Sequence, residues 1–175
     1  MKAWTDLKLI SLPQCMEHLP TDPRGYPVPN FATYRNGKYD FTEVDPAAYG
    51  NAIVYKRCHI TGLALGKEIA FVGGPISIGN RAFSDAGMLP DAARYAMQAC
   101  PFIAAPKFAY AARTAPKAGG HLSPDRPKIF GLGVASSYRV ESRGGQVIIF
   151  ASEWVKPVEW WKDGVRVNPD TLEPL

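Results

Sequence analysis

Cys58 offers the most chemistry in this chain, because of its setting in Lys56-Arg57-Cys58-His59-Ile60-Thr61-Gly62. A thiolate in a tight turn is half of a paired zinc ligand. The other half would stand three residues on, and a second pair would come from the first turn of a helix. Three residues after Cys58 stands Thr61, and at the start of the next helical segment the equivalent positions hold Leu89 and Ala92. None of these three side chains ligates zinc. One thiolate, even beside His59, does not close a tetrahedral site, so no metal or other cofactor is expected.

Other routes to catalysis are weaker. His18, His59 and His121 are scattered, with no H-x-x-x-H or H-E-x-x-H spacing. No G-x-S-x-G supplies a nucleophile elbow. Gly73-Gly74-Pro75-Ile76-Ser77-Ile78-Gly79 lacks a Gly-Lys-Ser/Thr ending and, on this reading, a following helix, so it is not expected to cradle phosphate. Gly62 and Gly66 read as turn positions that need φ > 0. Cys100, beside Pro101 and Phe102, reads as a small buried hydrophobe, and Cys15 carries no signal. Glu141, Glu153, Glu159 and Asp163 fall in strand or turn contexts typical of solvated faces. The expectation is a protein that is not an enzyme.

Charge points instead to binding. The 175 residues carry a net charge of +4, and the excess is localised. Residues 51–120 hold eight basic side chains against three acidic, whereas residues 1–50 hold five against six and residues 121–175 seven of each. A concentrated basic surface is the footprint of a polyanion or an acidic protein. Arg57, Lys67, Arg81 and Arg94 are the candidate contacts, with Tyr95 or Phe83 for stacking. Arg81 is the strongest of these, and its competing role is an ion pair with Glu68 or Asp85.

The elements that position these residues follow from local signals. Pro13 interrupts a short helix over residues 9–19, and four prolines in residues 19–29 make an extended strap that packs through Tyr26, Val28 and Phe31. Asn36-Gly37 predicts a type I′ hairpin between strands 32–34 and 39–42. Asp45-Pro46 caps a turn or a single helical turn. Strand 68–72, turn 73–75 and strand 76–78 form a β-hairpin, followed by a helix over residues 90–100 that Pro101 ends. Residues 106–127 read as a mobile loop or linker. Segments 129–140, 146–151 and 155–161 read as strands, with Gly144-Gly145 and Asp163-Gly164 as turns and one of Trp160 and Trp161 turned inward. The tail 168–175 is expected to be loosely attached.

A Cys-containing turn, a β-hairpin and a helix, in that order, make the layout of a treble-clef zinc finger. The stretches Cys58-x-x-Thr-Gly-x-x-Leu-Gly66, Ala70-Phe-Val-x-Gly-Pro75, Asn80-Arg81 and Ala93-x-Tyr-Ala-x-x-x-Cys-Pro-Phe102 resemble an uncharacterised family of small bacterial and phage proteins. Leu19-Pro-x-Asp-x-Arg-Gly-Tyr-Pro-Val-Pro29 and Val158-Glu-Trp-Trp-x-x-Gly-x-Arg166 extend the resemblance over most of the chain. Members of that family show Cys-x-x-Cys and His-x-x-Cys, which implies a zinc-bound treble clef. The departures at Thr61, Leu89 and Ala92 imply a finger whose metal has been replaced by packing.

The expected fold is therefore α+β, with a small degenerate treble-clef-like core, added antiparallel strands and Pro-rich extended segments. One domain spans 1–175: strap and hairpin 1–50, core 51–105, linker 106–128, antiparallel strands 129–167 and tail 168–175. Apolar residues make up 46% of the chain, which excludes wholesale disorder. No apolar run approaches the ~18–20 residues of a membrane span. The N-terminus does not read as a signal peptide, and three cysteines do not make a disulfide framework, so a bacterial host's cytoplasm is the expected location. The expected function is that of a non-enzymatic phage- or prophage-type accessory protein that contacts nucleic acid. The alternative is a protein-directed inhibitor of a host enzyme or defence complex, or a virion component, anchored by Tyr138, Trp154, Trp160 and Trp161. A metal-dependent HNH-type nuclease would need a His-rich site that 74–80 does not offer.

Overall fold

A computed structural model describes residues 9–104 and 127–175. The expected linker lies almost wholly outside them, as do His121 and three of the eight central cations, Lys107, Arg113 and Lys117. The chain mixes helices with antiparallel sheets and is α+β.

After a 3₁₀ turn at Gln14–Met16, strands β1 (Ala32–Arg35) and β2 (Lys38–Val44) form a two-stranded ribbon. Its turn residues Asn36 and Gly37 have φ of 50° and 76°, as a type I′ turn requires. Asp45 then accepts the Ala48 N–H at 2.8 Å and caps α1 (Pro46–Val54), a nine-residue helix where a single turn was expected. Residues 10–19 hold only the 3₁₀ turn at Gln14–Met16, because Pro13 has no N–H to continue a ladder.

Strand β3 (Ile69–Gly73) does not form the expected hairpin. Residues 76–78 lie in a short helix, α2 (Pro75–Asn80), with Pro75 presetting φ at its first position. Ile76 and Ile78 would share a face in a strand, but at 100° per residue they point apart. Ile76 is accordingly 78% exposed and Ile78 4%. The glycine-rich turn is thus followed by a helix after all, but one of six residues whose first position is a proline. Strand β4 (Ala82–Phe83) follows, and then a return segment whose Met88 exchanges both backbone hydrogen bonds with Ala70 at 2.8 and 2.9 Å. Helix α3 (Pro90–Ala99) comes next, as predicted, and Pro101 opens a further turn, α4 (Pro101–Ala104).

The expected strand 129–140 is two strands in two sheets. β5 (Phe130–Ala135) and β6 (Tyr138–Arg143) are separated at Ser136-Ser137. β5 joins β3, β8 (Glu159–Lys162) and β9 (Val165–Val167) in the sheet order β3-β5-β8-β9. β6 pairs with β7 (Gln146–Ala151), which pairs with β4. The glycine turns at 144–145 and 163–164 are as predicted. Strand 155–161 shrinks to its last residues, with Trp154 making an isolated bridge to Ala135. The tail is tied down rather than loose: Asn168 N–H bonds Glu173 O and Leu175 N–H bonds Arg166 O.

β5 is buried on both faces, and its alternation Phe130-Gly-Leu-Gly-Val-Ala135 explains how. Phe130, Leu132 and Val134 point into one core beneath α3, with Ala70, Met97 and Trp161. The small residues face the second core, where Ile78 and Trp160 cover Gly131 and Trp154 covers Gly133. The two adjacent tryptophans thus serve opposite faces, Trp161 buried in one core and Trp160 half-buried against the other.

Candidate binding site at the Cys58 turn

Residues 56–65 form a small closed ribbon held by its own backbone. Cys58 N–H bonds Leu63 O at 2.7 Å, Gly62 N–H bonds Cys58 O at 2.8 Å, and Leu65 N–H bonds Lys56 O at 2.8 Å. Gly62 has φ of 71° and is the turn glycine the sequence suggested; Gly66 does not adopt positive φ.

The Cys58 thiol is fully buried, and its Sγ accepts two backbone N–H groups, from Thr61 at 3.4 Å and from Leu89 at 3.2 Å. Thr61 is buried too; its Oγ1 accepts the Leu63 N–H at 3.2 Å, and its carbonyl accepts from His18 Nε2 at 2.9 Å. Ala92 lies in the same apolar core as Cys58, and Leu89 packs against it. Cys15 joins this neighbourhood from the 3₁₀ turn. Burial raises its pKa, the nearby Cys58 and Asp91 add to the rise, and the Ala92 N–H opposes it.

A closed zinc site does not fit these side chains. Cys58 is held as a ligand would be, but Thr61, Leu89 and Ala92 offer hydroxyl and hydrocarbon where thiolate or imidazole is required. Among the described residues, no group of three or more His, Cys, Asp or Glu is placed to hold a metal ion.

His59 is buried beside this turn, with its ring 4.7 Å from Phe31 and 5.8 Å from Tyr49. Its Nε2 has no hydrogen-bond partner among the described residues. Loss of hydration pushes its pKa below the ordinary value, with the Asp85 charge opposing.

The four predicted contact residues occupy different settings. Arg57 is exposed on the ribbon and donates from Nη1 to Gly62 O at 3.1 Å. Lys67 is exposed just beyond the ribbon. Arg81 sits at the C-terminus of α2 with φ of 53°, and its pairing with neither Glu68 nor Asp85 differs from expectation. It reaches Glu153 at 3.8 Å instead, while Glu68 pairs with Lys156. Arg94 is engaged by Glu159, with Nε and Nη2 both donating to that carboxylate, and also by Asp91. Glu159 is therefore not on a solvated face: its side chain is 12% exposed. Arg57 is on the ribbon and Lys67 two residues beyond its end, both exposed, while Arg81 and Arg94 are held by carboxylates.

The proposed stacking partners Tyr95 and Phe83 are 7% and 5% exposed and belong to the core. The tryptophans offered as protein anchors are packed as well. The exposed aromatic at this site is Tyr55, 66% accessible and directly followed by Lys56 and Arg57. Its signal was in the sequence: Tyr55-Lys56-Arg57 lies at the centre of a stretch from Pro46 to Lys67 that holds no acidic residue. Lys56 takes φ of 48° just after α1, and Arg57 N–H bonds back to Ala52 O at 2.9 Å. This is a Schellman-type helix end with lysine where glycine is usual.

No family model matches this sequence, and neither the curated proteins nor the solved structures yield a match to it. None of the described helices is long and apolar enough to cross a membrane.

Proposed function

We propose that this chain is a non-enzymatic nucleic-acid-binding protein whose contact surface is the ribbon 55–67. The observation that carries the reading is exposed Tyr55 beside Lys56 and Arg57, on a backbone fixed by Cys58. An aromatic face next to cations suits a single strand, where bases stack and phosphates are neutralised without sequence readout. Lys67 extends the positive surface. Arg81 contributes more weakly through its long pair with Glu153, and Arg94 is a structural partner of Glu159.

The ribbon, strand β3 with its Met88 bridge, and helix α3 together constitute a treble-clef-like module that has lost its metal. Hydrogen bonds to Cys58 Sγ and Thr61 Oγ1, with Ala92 in the core, take over the fastening role of zinc. A phage or prophage accessory role accords with the family resemblance.

The reading is tested by fluorescence anisotropy on labelled single-stranded oligonucleotides across a salt series. Affinity should fall steeply with salt, and Tyr55→Ala should weaken binding while leaving the salt slope intact. Affinity that is flat from low to moderate salt overturns it.

A further inference from the structure

Next to the ribbon lies an open groove of about 430 Å³, walled by the N-terminal strap on one side and residues 61–63 on the other. Its apolar lining comes from Leu19, Val28, Pro29 and Leu63, and its polar groups from His18, Asn30 and Tyr39. That size falls within the ~300–1,000 Å³ typical of small-ligand sites.

Three details give the groove a chemistry. First, Asn30 is exposed. Its backbone N–H is tied to Ile60 O at 2.7 Å, which fixes its position, while no hydrogen bond from its side-chain amide to another described residue is found. Its Oδ1 and Nδ2 are thus a donor–acceptor pair open to a ligand. Second, Thr61 O can only accept, so His18 Nε2 carries the proton in their 2.9 Å bond. An imidazole that donates from Nε2 and carries no second proton has Nδ1 as its acceptor. Third, Tyr39 is 37% exposed, with the Tyr34 ring tilted against it at 4.8 Å, so the groove wall carries an accessible aromatic ring.

The rim connects this groove to the proposed strand-binding surface. Gly62 lines the groove, and its carbonyl receives Arg57 Nη1, which brings the guanidinium next to the groove; no other hydrogen bond from that guanidinium to a described residue is found. A phosphate held by Arg57 would bring its own base into reach of Asn30.

We infer that this groove, with Asn30, His18 and Tyr39, is a subsite for one unstacked nucleobase bearing an exocyclic amine, adenine or cytosine. The inference rests on the nucleic-acid reading of the ribbon. A carboxamide pairs bidentately with adenine's amine and adjacent ring nitrogen, and cytosine offers the same amine-next-to-acceptor edge. Uracil and thymine present a carbonyl at that position. They would face the His18 acceptor with another acceptor and lose its hydrogen bond.

The test titrates AMP, CMP and UMP separately into the ¹⁵N-labelled full chain. AMP and CMP should move the Asn30 side-chain amide and the Thr61 and Gly62 backbone signals at concentrations about tenfold lower than UMP. Asn30→Ala changes an exposed side chain and keeps the backbone bond to Ile60, and it should weaken all three nucleotides; His18→Phe, which keeps a ring but has no acceptor, should erase the difference between AMP and UMP. Tyr39→Ala should weaken all three nucleotides. Absence of shifts at the groove, or equal response to all three nucleotides, overturns the inference. Strand binding is measured in parallel by anisotropy. Strand binding without groove shifts sinks the subsite alone. Groove shifts without strand binding keep the subsite as a nucleotide site and overturn the reading of the ribbon.

Discussion

The backbone N–H of Leu89, at the start of α3, donates to the Sγ of Cys58 at 3.2 Å across 31 residues of chain. This bond ties the ribbon to the start of the helix. It also binds the ribbon's geometry to one buried sulfur, since Thr61 N–H converges on the same atom. Cys58→Ala should leave both donors without an acceptor and open a small void. A loss of about 2–4 kcal/mol is expected from urea unfolding. Cys58→Ser, whose oxygen can still accept, should cost less. A loss below about 0.5 kcal/mol for the alanine variant would show that the sulfur does not fasten the turn.

If the ribbon and α3 keep treble-clef geometry, the missing ligands can be put back. A triple variant with Thr61→Cys, Leu89→His and Ala92→Cys should bind one zinc ion per chain and unfold at higher temperature with zinc than with chelator. Metal analysis and thermal unfolding read the two effects. Zinc at less than one ion per several chains would reject the proposed ancestry of the module.

Buried His59 makes stability depend on pH. Burial holds its folded-state pKa below the ordinary value of 6.5, although Asp85 pulls the other way. The unfolded chain therefore takes up the proton first. Stability from this group is fully present above about pH 6.5 and is lost as pH falls toward the folded-state pKa, at no more than about 1.4 kcal/mol per pH unit. His59→Phe keeps a ring against Phe31 and Tyr49 but does not titrate. Urea midpoints from pH 5 to 8 should fall on acidification in the wild type more than in this variant. Parallel curves would exclude His59 as the source.

Lys56 occupies a left-handed position that glycine tolerates without strain. Lys56→Gly should raise stability by about 0.5–1 kcal/mol and lower affinity for single-stranded nucleic acid, reducing the salt slope by about one phosphate contact. Stability comes from chemical denaturation and the slope from anisotropy. A variant that is more stable and binds equally well would remove Lys56 from the contact surface.

Much of this fold was legible where local chemistry decides the outcome. Asn36-Gly37, Gly144-Gly145 and Asp163-Gly164 each take the positive φ their turns demand, and Asp45 caps the helix it precedes. Reading failed where tertiary contacts decide. Ile76-Ser77-Ile78 alternates like a strand but is short enough to be a helix once Pro75 starts it and Ile78 finds Gly131. The break between β5 and β6 has no proline or glycine to announce it; Ser136-Ser137 is simply where the chain changes sheets. At the site, Arg57 and Lys67 were identifiable from charge alone. Tyr55 was passed over because Tyr95 and Phe83 are equally aromatic, and only burial separates them. The carboxylate that engages Arg94 comes from 65 residues away, beyond the reach of any local pattern.

Gly133 tests the second core directly. A Cβ built there would lie 2.7 Å from the Trp154 ring, whose bulk sits over the strand between Phe83 and Ala135. Gly133→Ala should force the indole aside and destabilise the protein by about 1–3 kcal/mol, with a red shift in tryptophan emission if Trp154 becomes wetter. Gly66→Ala, where a Cβ would meet open space and φ is not left-handed, serves as the control without crowding. Equal losses for the two would deny the packing explanation.

Arg94 and Glu159 separate structural from functional charge. The carboxylate is nearly buried while the guanidinium is about a third exposed, and their hydrogen bonds of 2.8 and 3.0 Å join α3 to β8. Those bonds, first of all, raise the Arg94 pKa, so the guanidinium stays charged throughout the neutral range. Arg94→Ala should cost about 1–2 kcal/mol after allowance for solvent screening of the exposed head. Affinity for single-stranded oligonucleotides, measured on the folded variant well below its melting temperature, should stay within about twofold of wild type. Glu159→Gln keeps the shape but removes the charge; it frees Arg94 from its ion pair and should not weaken binding. A fall in affinity of about tenfold in Arg94→Ala, with stability unchanged, would reverse the assignment and move the contact surface from the ribbon to helix α3.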